Sequence, residues 1–505
     1  MSVSSKHPLY VENLEDWNLL DHAYAGERVV KEQGSLYLPP TSGMLADGMT
    51  SAAQPGYLAY TAYKKRAVFP EFVSDAVQTA MGMLWYKNPI IKVPSQLEPM
   101  LERMTTMGEN VYEFLRRVHE QQMVLGRCGI MLDLPSTPQP GTVLPYATLY
   151  RGIHIINWNI GTLENGDRKV RLVVLDETED EMDESYQWTT VKKHRVLRLK
   201  DGSGPYIQQI YREEDLTQEI TPVLRGQPLD ELPFIFVNGK DLMPEPDLPP
   251  LLGLARLCMT IYRGEADYRH NLFMQGQDTL VVIGAEDSPG QETRVGADAR
   301  LNLPIGADAK YIGVDSKGLE EQRAALENDK RLASSRSGTL SDTTSRQRES
   351  GDALQTRVAA QTATLYDIAV SSASGLTKML KLAARWVGAD ENAVEVRPNL
   401  DFINLVINSR NIVELQTAKN LGAPISQETI HTLMKERRMT EFEFAEELAK
   451  IKSEKPLVEN AGDENPAQQN PDDNPDDNSN QEEEETGDEG QSGGQGGSGR
   501  GTAGV

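Results

Sequence analysis

The sequence predicts an α+β protein that is mainly helical, with a β-rich insert and a disordered C-terminal tail. Apolar residues recur at intervals of three and four in the first ~135 residues, which is typical of amphipathic helices. Over residues 127–239 the period changes towards two, which indicates strands. From about Glu459 onward large apolar side chains are almost absent, so the chain cannot bury enough surface to offset the entropy of ordering.

The helices can be placed in order along the chain. An early one carries a single apolar face, formed by Phe69, Phe72, Val73, Val77, Ala80, Met81 and Leu84. After the insert, residues 249–276 are predicted as a helix, because two prolines suit its start and Gly276 its end. Residues 315–335 predict a second helix, residues 351–388 a very long one, and a last helical region precedes the tail.

The insert is expected to hold five or six strands. Its β-rich runs are separated by Gly, Asp and Pro turns and read GIMLDLP, IHIINWNI, VRLVVLDE, HRVLRL, YIQQIYRE and PFIFVNG. A second, smaller group of short strands is predicted between the two helices at 249–276 and 315–335. The order is therefore helix, strand-rich excursion, helix, polar loop and very long helix.

Length, cysteines and charge limit the class of protein. The 505 residues suffice for roughly two to four domains. Cys128 and Cys258 are far apart and lie in apolar runs, so we expect two buried thiols in a reducing compartment. The N-terminus lacks an apolar signal region, and no apolar run approaches the ~20 residues of a membrane span. We expect a soluble, unsecreted protein.

Half of the negative charge lies in the tail. The net charge is −25, which by itself disfavours binding to phosphate over long range. Residues 453–505 hold fourteen acidic residues against Lys455 and Arg500, a net of −12, which leaves −13 for the first 452 residues. The tail sequence DDNPDDN lacks the turn glycine of a calcium loop and contains a proline, so no calcium site is expected there.

Motifs for catalysis are missing from the sequence. It has no phosphate-binding Gly-x-x-x-x-Gly-Lys-Ser/Thr loop, no His-Glu-x-x-His and no Cys-x-x-Cys pair. Its seven histidines show no metal-ligand spacing. We therefore expect no enzyme, no metal and no cofactor, although a pair of carboxylates in an acidic site remains an alternative.

A polar, basic segment stands out between two predicted helices. Residues 334–355 are rich in Ser and Thr and carry Arg336, Arg346 and Arg348. Two helices joined by a short strand-rich segment are expected to pack as an antiparallel pair. The strand-rich segment then lies at one end of the pair and the polar loop at the other. Such a pair exposes much surface when alone, and a ring of copies would cover it.

Much of the chain, roughly residues 57–436, resembles the portal proteins of tailed bacteriophages. The likeness runs through YLAYTAYKKRAVFPEFVSDAVQTAMGMLWYKNPII with its Lys87 and Pro89, and through the strand sequence IHIINWNI with Ile156, Asn157 and Trp158. LVVLDE, HRVLRL and LPFIFVN are similar to further strands of that family. ESGDALQTR resembles the Ser-Gly-x-Ala-Leu that opens its long helix, and NLDF and LGAPISQET resemble the region that follows.

The resemblance implies the phage portal architecture of wing, stem, clip and crown. Residues 1–135 would be the helical part of the wing, 136–247 its β-rich part, and 351–388 its long helix. Stem helices would be 248–276 and 315–335, with the clip at 277–314 between them and a tunnel loop at 336–350. The crown would be 389–452, followed by the disordered acidic tail at 453–505.

The same resemblance implies the function and the partners. Portals are rings, usually of twelve subunits, at one capsid vertex of the virion, assembled in the host cytoplasm, and double-stranded DNA passes through their channel during packaging and ejection. Expected partners are further copies of the chain, DNA without sequence preference, terminase, head-completion or adaptor proteins, and major capsid and scaffolding proteins, with no membrane. Other capsid-associated structural proteins and a nucleic-acid enzyme remain alternatives.

Three groups of site residues follow. Arg336, Arg346 and Arg348 would face DNA in the tunnel loop, or else pair with acidic neighbours Asp342, Glu349 and Asp352 on adjacent subunits. In the clip, Val295, Leu301 and Leu303 would anchor a partner by strand addition or form contacts within the ring. The motif that opens the long helix comprises Ser350, Gly351, Ala353 and Leu354, with Ser350 as a cap, and Trp158 is expected in the core.

Overall fold

A computed structural model describes residues 2–135, 144–162, 166, 168–224, 226–275, 279–284, 305–306, 308–312, 318–337, 351–400, 409–436, 440 and 442–453. Contacts divide the chain into two units, Met1–Arg410 and Asn411–Val505. All the strands that the structure describes belong to the first unit.

The helices of the described residues are numbered in chain order. They are α1 (Pro8–Ala25), α2 (Glu27–Glu32), α3 (Ser42–Ala46), α4 (Pro55–Arg66), α5 (Phe72–Leu84), α6 (Glu98–Glu102), α7 (Val111–Leu125), α8 (Leu252–Gln275), α9 (Leu319–Ser337), α10 (Gly351–Val387), α11 (Ser409–Asn420), α12 (Gln427–Glu436) and α13 (Phe444–Ser453). The longest, α10, holds 37 residues and runs about 55 Å at 1.5 Å per residue.

The described strands form one larger sheet, one smaller sheet and several two-stranded ribbons, all antiparallel. The strands are β1 (Ile90–Lys92), β2 (Arg127–Asp133), β3 (Tyr146–Arg151), β4 (Ile155–Thr162), β5 (Arg168–Asp176), β6 (Glu179–Met182), β7 (Trp188–Val191), β8 (Lys193–Leu199), β9 (Tyr206–Arg212), β10 (Asp215–Ile220), β11 (Val223–Leu224), β12 (Gln227–Pro228), β13 (Phe234–Asn238), β14 (Thr279–Ile283), β15 (Asp308–Ile312) and β16 (Glu395–Arg397). The larger sheet has the order β10-β9-β8-β5-β4, and the smaller has the order β13-β2-β3.

Helix α7 shows how the sequence sets the ends of an element. The Asn110 side chain accepts the backbone N–H groups of Tyr112 and Glu113 at 2.9 and 3.0 Å, and Glu113 accepts the N–H of Asn110 at 3.0 Å. This reciprocal capping box satisfies donors that the first helical turn leaves unpaired. Gly126 ends the helix at a φ of 74°, a left-handed conformation that favours glycine. The next residue begins β2.

Two apolar clusters form the core of the first unit. One joins the N-terminal helices, the larger sheet and α8, and includes Trp17, Trp158 and Tyr262. The other joins α7, the smaller sheet and α10, and includes Phe114 and Leu380. Burial of these side chains supplies the main free energy that holds the helices against the sheets.

Trp158 lies in the core, as expected, and packs against a buried arginine. It is 3% exposed and stacks on His7 at a centroid distance of 4.0 Å. On the same indole lies the guanidinium of Arg127, 4.6 Å from the ring, which also contacts the Phe236 ring at 4.9 Å. Burial lowers the pKa of Arg127 to about 9, because the charged form loses its hydration.

The six strand-like runs of the insert all coincide with strands, namely β2, β4, β5, β8, β9 and β13. The prediction of five or six strands was nevertheless too low. The described part of the insert also contains β3, β6, β7, β10, β11 and β12. Strands β6 and β10 are almost wholly exposed on both faces, so they lack the apolar alternation by which a strand is recognised.

Two short strands add detail near the expected boundaries. Residues 1–135 are mainly helical, as expected, but they include the short strand β1, which pairs with β16, and β2 begins at Arg127, where the strand-like period begins. The contact between β1 and β16 also ties the start of the predicted crown, 389–452, to the first unit, and the division between units falls only at Arg410. A three-residue strand whose partner lies some 300 positions away gives no local signal.

The cysteines agree with expectation. Cys128 in β2 and Cys258 in α8 are free and fully buried. Burial raises the pKa of both thiols to about 12, which keeps them protonated and unreactive. The acidic tail, residues 453–505, lies outside the described residues apart from Ser453, the last residue of α13.

Candidate functional site

Helices α8 and α9 pack side by side and run antiparallel, as predicted. Gly264 of α8 faces Leu326 of α9 so closely that a Cβ there would lie 2.9 Å from Leu326 Cδ2. Seven residues further along α8, Asn271 Nδ2 donates to Gln322 Oε1 of α9 at 3.1 Å. Residue numbers rise along one helix as they fall along its partner, so the two chain directions are opposed.

A β-ribbon lies between the two helices in sequence. Strands β14 and β15 pair antiparallel, with Thr279 opposite Ile312 and Ile283 opposite Asp308. The ribbon follows the end of α8 and precedes the start of α9, so it belongs to that end of the helix pair. This confirms the predicted strand excursion. Residues 338–350, which follow the opposite end of α9, lie outside the described residues.

A buried carboxylate joins the two helices. Glu265 of α8 is 4% exposed and accepts a hydrogen bond from Arg269 Nε at 2.6 Å and another from Lys330 Nζ of α9. Burial alone would raise the pKa of Glu265, but the hydrogen bonds from Lys330 and Arg269 outweigh it and the pKa is lowered. The carboxylate therefore stays charged and fixes the register of α8 against α9.

Helix α8 is also fixed to the N-terminal helices. Tyr63 Oη donates to Asp267 Oδ1 at 2.5 Å, and Arg263 Nε donates to the carbonyl oxygen of Tyr37 at 2.9 Å. Burial and the Asp267 contact raise the pKa of Tyr63, so its hydroxyl remains a donor. These contacts make the helix pair a continuation of the core rather than a separate projection.

The last turn of α8 presents apolar side chains to solvent. Leu272, Phe273 and Met274 are 43%, 40% and 45% exposed. The guanidinium of Arg66 lies 4.1 Å from the Phe273 ring centroid and covers part of it. A run of three half-exposed apolar residues next to the β-ribbon is a surface that a neighbouring protein can cover.

The predicted DNA-facing residues are described only in part. Helix α9 extends to Ser337, so Arg336 lies in its last turn and not in the loop to which it was assigned. The side chain is exposed and lies near Gly253 at the start of α8. Helix ends commonly differ by one or two residues from a sequence-based boundary. Arg346 and Arg348 lie outside the described residues.

The remaining predicted site residues are also described only in part. Gly351 is the first residue of α10, and Ala353 and Leu354 follow in its first turn, where the long helix was predicted to begin. Ser350 and the clip residues Val295, Leu301 and Leu303 lie outside the described residues.

Helix α10 is anchored by its C-terminal half. Ser371 Oγ donates to the carbonyl oxygen of Asn238 at 2.7 Å, and Ser372 Oγ bonds His119 Nε2 at 2.7 Å. His119 is the most deeply buried histidine described, and burial lowers its pKa to about 3, which keeps it neutral. It serves as a packed hydrogen-bonding residue between α7 and α10.

The described residues form neither a metal cluster nor a membrane-spanning helix. Within the part of the chain that the structure describes, no group of three or more His, Cys, Asp or Glu side chains is placed to hold a metal ion. None of the described helices is both long and apolar enough to cross a bilayer.

Sequence reasoning missed two surfaces of the first unit. One is a groove lined by apolar side chains and by Arg168, Lys378 and Lys381, and the other is the exposed ribbon of β6 and β7 with Trp188. The lysines belong to the long amphipathic helix and give no local signal, whereas an exposed Trp in an acidic segment is a signal that could have been read.

A match to a known family covers the helix pair and the long helix. A family model described as "Domain of unknown function (DUF4055)" matches residues 250–387. These residues include α8, the β14–β15 ribbon, α9 and α10. No curated protein matches the chain.

Among solved structures, the chain is similar to one described as "Neck of native GTA particle computed with C12 symmetry", at 15% identity and a TM-score of 0.37, over 72% of this chain and 89% of that one. It is also similar to one described as "Virion of native gene transfer agent (GTA) particle", at 15% identity and a TM-score of 0.39, over 78% and 98%. Both descriptions name parts of a gene transfer agent particle. TM-scores of this size are too low to carry a conclusion about function.

Proposed function

We propose that the protein is the portal subunit of a tailed-phage-like particle. In this role it forms a ring at one capsid vertex, and double-stranded DNA enters and leaves through the channel of the ring. Residues 277–314 dock terminase during packaging and then the head-completion proteins. The expected ring holds twelve copies, in contact with the major capsid protein and with scaffolding protein during assembly.

The observation that carries the proposal is the arrangement of α8, the β14–β15 ribbon, α9 and α10. An antiparallel helix pair carries a β-ribbon at one end, and the polar segment 338–350 leads from its other end into a helix of 37 residues. The family resemblance of the sequence assigns these parts to stem, clip, tunnel loop and long wing helix. Antiparallel packing of the pair agrees with that assignment.

The charge distribution suits a channel that passes DNA without holding it. The first 452 residues carry a net charge of −13, so they repel phosphate on average. Tight or sequence-reading contacts would stall translocation, whereas a few cations repeated around a ring give brief phosphate contacts. In this proposal Arg336, Arg346 and Arg348 supply those contacts.

Exposed apolar residues support assembly with further copies. The end of α8 exposes Leu272, Phe273 and Met274, and α10 exposes Tyr366 and Val370. Half-exposed apolar groups along both the helix pair and the long helix gain free energy when a neighbour covers them. Closed cyclic assembly covers such surfaces in every copy.

Labelling of particles tests the proposed location. A copy with a C-terminal affinity tag, incorporated into particles and marked with gold, is expected at one vertex of each particle, and particles assembled without the protein are expected to contain no DNA. A particle with label at many vertices, or DNA-filled particles that lack the protein, would contradict the portal assignment. Label at many sites would favour another capsid-associated structural protein.

A further inference from the structure

We infer that the ribbon of β6 and β7 in one copy docks into the Lys378–Lys381 groove of a neighbouring copy. We call residues 179–191 the arm, and the groove is the surface cavity lined by β13, by the adjoining ends of β4 and β5, and by α10. The inference rests on the proposed ring, since it requires a second copy of the chain.

The arm is a projecting two-stranded ribbon with exposed aromatic side chains. Trp188 is 67% exposed, Tyr186 is 78% exposed, and Met182, which lies opposite Trp188 in the ladder, is 50% exposed. A two-stranded ribbon without a third strand or a packed face is only marginally stable in water. Tryptophan and tyrosine dominate the free energy of protein interfaces, so this exposed cluster has the composition of a docking element.

The arm is acidic along its length. Glu179 and Glu181 are paired, with Lys193 at 2.7 Å and Arg212 at 2.6 Å. Asp180, Asp183 and Glu184 have no cationic partner among the described residues. Asp180 accepts a hydrogen bond from Thr190 Oγ1 at 2.6 Å, and Asp183 accepts backbone N–H groups within the turn. Residues 179–191 contain no Lys or Arg, so the arm presents negative charge beside its aromatic side chains.

The groove has the complementary character. Its volume is about 550 Å³, within the usual range for a binding cavity, and Leu232, Phe234, Phe236 and Leu382 form much of its apolar lining. Arg168, Lys378 and Lys381 also line it, and they form no ion pair with any residue that the structure describes. These cations beside an apolar floor complement an arm that combines negative charge with exposed aromatic rings.

The groove is lined by more cations than carboxylates. Of its three carboxylates, Glu231 and Glu391 both pair with Arg385, at 2.9 and 3.2 Å, and Glu245 forms no ion pair with a residue that the structure describes. Four cationic side chains against three carboxylates leave the groove lining with a net positive charge.

A chain cannot fill its own groove with its own arm in this conformation. Strand β5 begins at the groove, where Arg168 and Val170 line it, and runs away from it towards the arm, which starts at Glu179. Val170 and Glu179 are nine positions apart, which is about 30 Å of extended chain at ~3.3 Å per residue. Arm and groove at opposite ends of one sheet make a head-to-tail contact, which is the kind that closes into a ring.

The acidic tail is the competing occupant, and its composition fits the groove less well. Residues 454–505 contain no Phe, Trp, Tyr or Met, so they offer charge to the lysines but nothing aromatic to the apolar floor. The arm offers both. We therefore assign the groove to the arm of a second copy.

Charge reversal tests the contact with the full chain. Two double variants are purified separately. The arm variant is Asp180→Lys/Glu184→Lys, and the groove variant is Lys378→Glu/Lys381→Glu. For each, the protein concentration at which half of the chains are assembled is determined from the masses of the particles in solution. Each alone is expected to need about tenfold more protein than the wild type, because like charges meet at every contact. A one-to-one mixture is expected to recover wild-type assembly, because each variant then fits the other in alternation.

Recovery in the mixture cannot come from two misfolded proteins, so a folding defect does not imitate the expected result. Trp188→Ala is expected to weaken assembly, whereas the matched control Met107→Ala, which shortens a side chain that is 90% exposed elsewhere, is expected to leave it unchanged. Single variants that assemble like the wild type, or a mixture no better than its components, would overturn the inference.

Two further outcomes are distinguishable. A chain truncated after Ser453 is expected to assemble normally with its groove lysines protected from acetylation. Loss of that protection would assign the groove to the tail and overturn the inference. A wild-type chain that stays monomeric at every concentration would overturn the proposed ring as well, whereas a ring that is insensitive to the arm variants would overturn the arm contact alone.

Discussion

At the scale of single residues, Glu265 gives the clearest link between sequence, packing and the proposed function. The carboxylate is nearly inaccessible and receives hydrogen bonds from one residue of its own helix and one of the facing helix. A buried charge that loses its partners is costly, so each member of this group depends on the others. The paired helices therefore have a defined register before any neighbour arrives.

Replacement of Glu265 by Gln is expected to lower the free energy of unfolding by about 1–3 kcal/mol, because Lys330 and Arg269 then face a neutral amide. Urea unfolding followed by circular dichroism measures the change. Glu321→Gln on the exposed side of α9 is the matched control and should have little effect. Equal effects of the two substitutions would show that the carboxylate does not join the helices.

The same group predicts a dependence on pH. The folded-state pKa of Glu265 is lowered, so its contribution to stability is complete above the unfolded pKa and is lost as the pH falls through the folded pKa. The stability difference between the wild type and Glu265→Gln should therefore shrink in acid. A difference that stays constant from pH 7 down to the acid range would rule out ionisation of Glu265 as its origin.

At the scale of elements, the sequence was most informative where a period or a cap marks the structure. The six apolar strand runs, helices α8 and α10 and the strands that became β14 and β15 were all predicted near their positions. Ribbons β6–β7 and β1–β16 were missed, because exposed strands have no alternation and distant short strands have no local signal. The strands of the arm were missed because they lack alternation, and the groove was missed because its lysines belong to a long amphipathic helix.

The polar segment that leads into α10 carries its own prediction. Arg346→Ala/Arg348→Ala, and the corresponding changes to Glu, are expected to reduce the DNA packaged and retained per head, because a collar of cations around the channel is lost. Quantitative DNA measurement on purified heads checks this. Unchanged DNA packaging and retention would contradict the proposed contact between these arginines and DNA. A loss of ring assembly would indicate instead that the arginines pair with acidic residues of adjacent subunits.

At the scale of the whole molecule, the features that remain unexplained in one copy share a common cause. The end of α8 keeps half-exposed apolar side chains, the arm exposes aromatic rings, and the groove is lined by a net positive charge. A sequence carries no direct record of contacts between copies, so the sites predicted from sequence were loops, whereas the structure adds surfaces. In the proposed head-to-tail ring, the arm and the groove are counterparts of each other.

The central claim is tested most directly by the mass and the image of the purified chain. Twelve copies of 56.0 kDa give about 670 kDa, and negative-stain images are expected to show a ring with a central hole wide enough for a DNA duplex. A 56.0 kDa monomer at every concentration would contradict the account and favour a nucleic-acid enzyme. A large assembly without a channel would contradict it equally and favour another structural protein of the capsid.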